Sequence, residues 1–98
     1  MEAAMEFLAD TDETFAEAKA QLLRSEILVK RVRARVIVNE EGPMDLRKAK
    51  AEAHPQVGEA DEGLIESTLA FESLKARRSR AEIVIDVFRT LEASRRKT

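Results

Sequence analysis

Arginine and lysine crowd the last quarter of this chain, as Arg77, Arg78, Arg80, Arg89, Arg95, Arg96 and Lys97. Cations at such density neutralise phosphates, so Arg77, Arg80, Arg89, Arg95, Arg96 and Lys97 are the candidate nucleic-acid contacts, and Lys30 to Arg35 is a second basic cluster. Two features weigh against that reading: the net charge is -2, and no series of aromatic residues is interleaved with the cations to stack on bases, Phe88 being the one among them. A solvated helical surface paired with acidic stretches explains the same residues. Other chemistry is thinner still. Cysteine is absent and His54 is the only histidine, so thiolate ligands, a cysteine nucleophile and a carboxylate–histidine metal cluster of the helical-bundle kind have no residues to build them. The glycines stand alone, with no phosphate-binding loop, and neither a zinc-protease motif nor a serine elbow is present. The expectation is a protein that is not an enzyme and has no catalytic residues, no cofactor and no metal. His54, next to Pro55, is expected to serve as a turn or cap residue.

These side chains depend on long helices to place them. In 98 residues the charged fraction is 37% and the aromatic fraction 4%, with no Trp or Tyr, a balance typical of exposed helices or coiled coils and poor for a compact enzyme. A chain this short forms one domain with a thin core, so a partner chain is a natural supplement. No run approaches the roughly 20 apolar residues that span a bilayer. Glu2 and Glu6 stand where a signal peptide would carry positive charge, so the expected location is cytoplasmic, without membrane contact.

The periodicity is helical. Phe15, Ala18, Leu22, Val29, Val32 and Val36 recur at heptad spacing, interrupted by the polar Ser25, in a helix expected from about Thr11 to Val38. Ala16, Ala20, Leu23, Ile27 and Ala34 form a second apolar face nearly opposite. The alternation across Arg31 to Val36 is strand-like, but it continues a helical pattern without Gly or Pro, which decides for helix. Before it, Glu2 to Ala9 reads as a short separate helix. Asp10, Thr11 and Asp12 interrupt, and Asp10 with Glu13 forms an acidic capping signature.

Asn39 to Pro43 breaks the chain, and Met44 to Ala53 reads as a short connecting helix closed by His54 and Pro55. A second long helix starts at Pro55 or Asp61 and runs to Ser94. Its stripe is Leu64, Phe71, Leu74, Ala81, Ile85 and Phe88, and its back face is Ile65, Leu69, Ala76, Ile83 and Val87.

Charge follows the same division. Met1 to Glu26 carries 7 acids and 2 bases, Ile27 to Val38 has 4 bases and no acid, Asn39 to Ser73 has 9 acids and 3 bases, and Leu74 to Thr98 has 8 bases and 3 acids. Folding the long helices antiparallel brings each basic block beside an acidic one, whereas a parallel arrangement juxtaposes like charges.

Leu74 to Arg78, Ala81-Glu82, Ile85 to Thr90 and Ala93 to Arg96, with the early Phe7 to Glu13, resemble a group of small bacteriophage and prophage helical proteins of unknown function. Such proteins are encoded near phage recombination and replication genes, and the resemblance implies an accessory role in phage DNA metabolism. It carries over no functional residue.

The expected fold is all-α: an antiparallel helical hairpin of two long coiled-coil-like helices with short N-terminal and connecting helices. Residues 1–98 form one domain, with 1–10 as the short helix and 95–98 as a basic tail. Two-sided helices imply a homo-oligomer, a dimer or higher, with Leu69, Ile83, Val87, Leu23 and Ile27 as candidate interface residues. The leading function is a non-enzymatic protein-interaction module with a phage or host protein partner. The alternative is a nucleic-acid-binding accessory protein using the Arg-rich helix.

Overall fold

From Met1 to Glu41 the chain contains neither Gly nor Pro, so nothing in its backbone stops a helix once begun. In the computed structural model, which describes residues 1–97, that segment forms α1, Glu2–Asn39. Two further helices follow, α2 at Met44–Ala53 and α3 at Pro55–Lys97. No strand occurs among the described residues. Arg31 to Val36 and Glu82 to Phe88 are both helical despite their β-branched content, because only one side of each helix is packed. Val32 and Val36, one turn apart, are buried, while Arg31 and Arg35 are exposed.

The expected break at Asp10 is absent, since α1 passes through Asp10, Thr11 and Asp12 without interruption. A cap is worth only about 1 kcal/mol, and here it competes with a packed stripe that already runs from Ala4 through Leu8 and Thr11 to Phe15. The separate N-terminal helix is therefore the first turns of α1. At the other end, Arg95, Arg96 and Lys97 are the last turn of α3 and not a tail. Thr98 lies outside the described residues.

The α1–α2 connection turns on Gly42, whose φ of 106° is a conformation that L-residues avoid. The α2–α3 junction turns on His54. Its backbone is extended, at φ -75° and ψ 132°, as the following proline requires. Its Nδ1 accepts the Gln56 N–H at 3.1 Å, and its carbonyl accepts from Val57 and Gly58. His54 is thus the N-terminal cap of α3, with Pro55 in the first helical position, where no N–H is needed.

The molecule is a narrow rod measuring 77 × 22 × 14 Å. Cross-helix partners pair low numbers with high ones: Arg33 faces Asp61, Ser25 faces Ser67 and Asp12 faces Arg78. The core gathers where all three helices meet, with Val29, Val32 and Val36 from α1 enclosing Ala51, Val57 and Ala60. Ala51 and Val57 are fully enclosed. Toward the far end only α1 and α3 remain, and there just Ala81 and Ile85 are buried. Phe15 and Phe71 stack across that arm with ring centroids 5.2 Å apart. Phe88, expected on the stripe, is instead 40% exposed at the end of the rod, where no third helix covers it.

Candidate interaction surface

Two kinds of surface offer themselves, the cations and the outer apolar faces. Several of the cations are occupied by the arm itself. Arg78 carries three hydrogen bonds: Nη1 donates to the Leu8 carbonyl at 2.9 Å and to Thr11 Oγ1 at 2.7 Å, and Nη2 donates to Asp12 Oδ1 at 2.7 Å. Its guanidinium lies 5.0 Å from the Phe15 ring centre. Thr11 supports the clamp by donating its own hydroxyl proton to the Phe7 carbonyl at 2.6 Å. Arg77 sits over Phe7 at 4.9 Å, and Lys75 over Phe71 at 5.9 Å. Cations held against rings in this way gain about 0.5–1 kcal/mol each at exposed sites. The rings under Arg77 and Arg78, Phe7 and Phe15, come from across the helix pair.

Of the second basic cluster, Arg33 is engaged, while Lys30, Arg31 and Arg35 are exposed. Arg33 Nε lies 3.2 Å from Glu52 Oε1, and its Nη2 lies 3.9 Å from Asp61 Oδ1. The first contact is close enough for ion pairing but not aligned for a hydrogen bond, so Nε makes none.

Of the candidate phosphate contacts, Arg77 and Arg80 line one hollow together with Phe7, and Arg89 and Arg96 line another with Met1, Met5 and Phe88. Arg95 pairs with Glu92 at 3.4 Å. At about 100° of rotation per residue, Arg77, Arg80 and Arg95 fall on one side of α3, Arg89 and Arg96 on another, and Lys97 apart from both. The helix therefore distributes these six residues around its axis and assembles no single basic strip.

The apolar faces behave differently. Ile65, Leu69, Ile83 and Val87 on α3 are 59%, 67%, 60% and 53% exposed, and Leu23 and Ile27 on α1 are about half exposed. On α3 these side chains and Ala76 form a stripe roughly 180° from the buried one of Ala60, Leu64, Phe71, Leu74 and Ile85. Two shallow hollows lie on it, one lined by Ile65, Leu69 and Glu72 and the other by Ile83, Val87 and Leu91. All five residues expected at an oligomer interface thus lie exposed on the outer sides of the helices. Leu23 and Ile27 lie on α1 and the other three on α3, so the fold does not bring them into one patch.

Among the described residues no group of three or more His, Asp or Glu side chains is placed to hold a metal ion, and no helix is long and apolar enough to cross a membrane. What sequence reasoning missed was the Thr11–Arg78 clamp. Its only sequence signal was Thr11, the one polar residue on the alternating three- and four-residue stripe that runs from Ala4 to Leu22. No family model, curated protein or solved structure matches this chain.

Proposed function

We propose that this chain is a non-enzymatic protein-interaction module, an antiparallel helical hairpin that self-associates through its outer faces. The observation that carries the reading is the exposed aliphatic stripe of α3, with Ile65, Leu69, Ile83 and Val87 each more than half open to solvent. A thin two-helix arm with apolar residues on both sides has strong reason to bury one of them against another chain. The order of the cross-helix pairs, from Arg33 with Asp61 to Asp12 with Arg78, supports the antiparallel arrangement. A setting among phage or prophage accessory proteins belongs to the same proposal and draws on the sequence resemblance alone.

Light scattering across a micromolar concentration series tests it. Mass above the 11.0 kDa of one chain is expected, and a monomer throughout overturns self-association. The nucleic-acid alternative predicts saturable, salt-sensitive filter binding of single- or double-stranded DNA. Our reading predicts none, since the six candidate contacts are spread around the axis of α3 and Arg77 among them is packed over Phe7.

A further inference from the structure

The outer stripe of α3 is a near-palindrome about Ala76. Leu69 and Ile83 each lie seven residues from it, Ile65 and Val87 each lie eleven, and Glu72 and Arg80 each lie four. All seven positions are exposed. Neither Glu72 nor Arg80 has an ion-pair partner within the described residues. On the helix Ala76 falls in the angular middle of the stripe, with Glu72 and Arg80 about 40° to either side.

From this we infer that the occupant of the stripe is α3 of a second copy of this chain, packed antiparallel about a twofold axis through Ala76. The inference rests on the self-association reading and specifies its geometry. A twofold axis at Ala76 sets Leu69 of each copy level with Ile83 of the other, and Ile65 level with Val87. The hollow beside Ile65 and Leu69 then faces the residues that line the hollow beside Ile83 and Val87. Ala76, the smallest side chain of the stripe, meets its own symmetry mate, which allows the close approach that two helices need at a crossing point.

Charge selects the direction. The antiparallel pair brings each Glu72 level with the partner's Arg80 across the short Ala76 side chain, while a parallel pair aligns Glu72 with Glu72 and Arg80 with Arg80. The stripe from Ile65 to Val87 is about 33 Å long at 1.5 Å per residue. With its flanking stems it offers the extent from which a pairing near the lower limit of about 1,200 Å² is built. The outer face of α1 is a weaker seam. Between Ala16 and Ala34 its large apolar side chains are Leu23 and Ile27 alone, set among Ala16, Ala20 and Ala34 with Lys30 intruding, and Met5 and Val38 lie far out toward its two ends.

The chain contains no cysteine, so single introduced thiols report the geometry without background. Under oxidising conditions Ala76→Cys should cross-link to itself at the twofold axis, where the two β-carbons approach within disulfide reach. Leu69→Cys alone should not, because the two copies of residue 69 sit about 21 Å apart along the seam, and Ile83→Cys alone should not for the same reason. An equimolar mixture of Leu69→Cys and Ile83→Cys should cross-link. Far-UV circular dichroism confirms that each variant remains helical, and wild-type light scattering is run in parallel.

Self-association of the wild type without Ala76→Cys cross-linking, or with efficient cross-linking of Leu23→Cys in its place, overturns this geometry and leaves the self-association reading standing. A wild type that stays monomeric at high micromolar concentration overturns both. Charge reversal at one site, Arg80→Glu, should weaken association at least tenfold, and combining it with Glu72→Arg should restore most of the loss. Failure of that rescue in variants that remain helical counts against the crossed ion pairs.

Discussion

Replacing Arg78 by Met separates the clamp on α1 from the ion pair beside it, because Met keeps much of the aliphatic stem and discards the guanidinium. The Arg78 side chain is 16% exposed, whereas Asp12 is 67% exposed. Two charged hydrogen bonds, to the Leu8 carbonyl and to Thr11 Oγ1, are lost on substitution. Bonds from an ionised donor contribute about 1.5–3 kcal/mol each, and part-buried acceptors that water reaches place the pair toward the bottom of that range. The Phe15 face adds roughly 0.5–1 kcal/mol. The exposed Asp12 pair contributes only about 0–1 kcal/mol. Arg78→Met should therefore destabilise by about 4 kcal/mol, and Asp12→Asn by less than about 1 kcal/mol. Each kcal/mol moves the midpoint of a domain this size by about 4–8 °C. Thermal melts followed by circular dichroism at one fixed protein concentration should thus separate the two variants clearly. Arg78→Lys should fall between them, since an ammonium keeps the charge but cannot fork across two acceptors. An Asp12→Asn loss as large as that of Arg78→Met would refute the argument, by showing that the exposed ion pair holds this arm.

Glycine substitutions should split by sign. Gly58→Ala and Gly63→Ala sit inside α3 with open space where a β-carbon would go, so each should stabilise by roughly 0.5–1 kcal/mol. Gly42→Ala, at φ 106° and with its β-carbon 3.2 Å from Leu46 Cδ2, should destabilise by about 1–2 kcal/mol, and urea midpoints at unchanged slope check all three. Amide hydrogen exchange should be slowest around Val29, Val32, Val36, Ala51 and Val57, where three helices meet, and fastest near Glu2 to Ala9 and Thr90 to Lys97. Uniform protection along α1 would contradict a core concentrated at one end.

The helical stripes were legible because burial on a helix leaves a period that survives individual substitutions. Phe15, Ala18, Leu22, Ser25, Val29, Val32 and Val36 are all buried or half-buried, as their spacing predicts. Even Ser25 fits the period. Its hydroxyl lies 2.7 Å from that of Ser67, which donates onward to the Gly63 carbonyl at 2.9 Å, so Ser25 is the donor in the cross-helix bond and no buried hydroxyl goes unpaired. The continuity of α1 at Asp10 was hidden because the capping signal is local and the packing that outweighs it is not. Leu8 and Thr11 are fastened by Arg78, far along the chain. The engagement of the arginines was hidden for the same reason, since a cation beside Phe7 or Phe15 leaves no mark in the spacing of α3.

What the proposed second copy would add follows from where the core lies. The short α2 closes over only the turn end, so Val36, Ala51 and Val57 are sealed while the far half of the rod relies on Phe15, Phe71, Ala81 and Ile85 between two helices. Two helices in contact along one side leave most of each surface in water, and isolated helical arms are marginal for that reason. The Arg78 clamp and the arginine–phenylalanine contacts stiffen the arm from within, yet they cover none of the aliphatic side chains on its outer face. A second α3 laid against Leu69, Ala76 and Ile83 would give the arm the third helix that α2 supplies only at the other end. If so, the variants that abolish pairing should also loosen the arm. Protection of amides between Ala70 and Val87 should fall with dilution, while protection around Ala51 and Val57 stays constant.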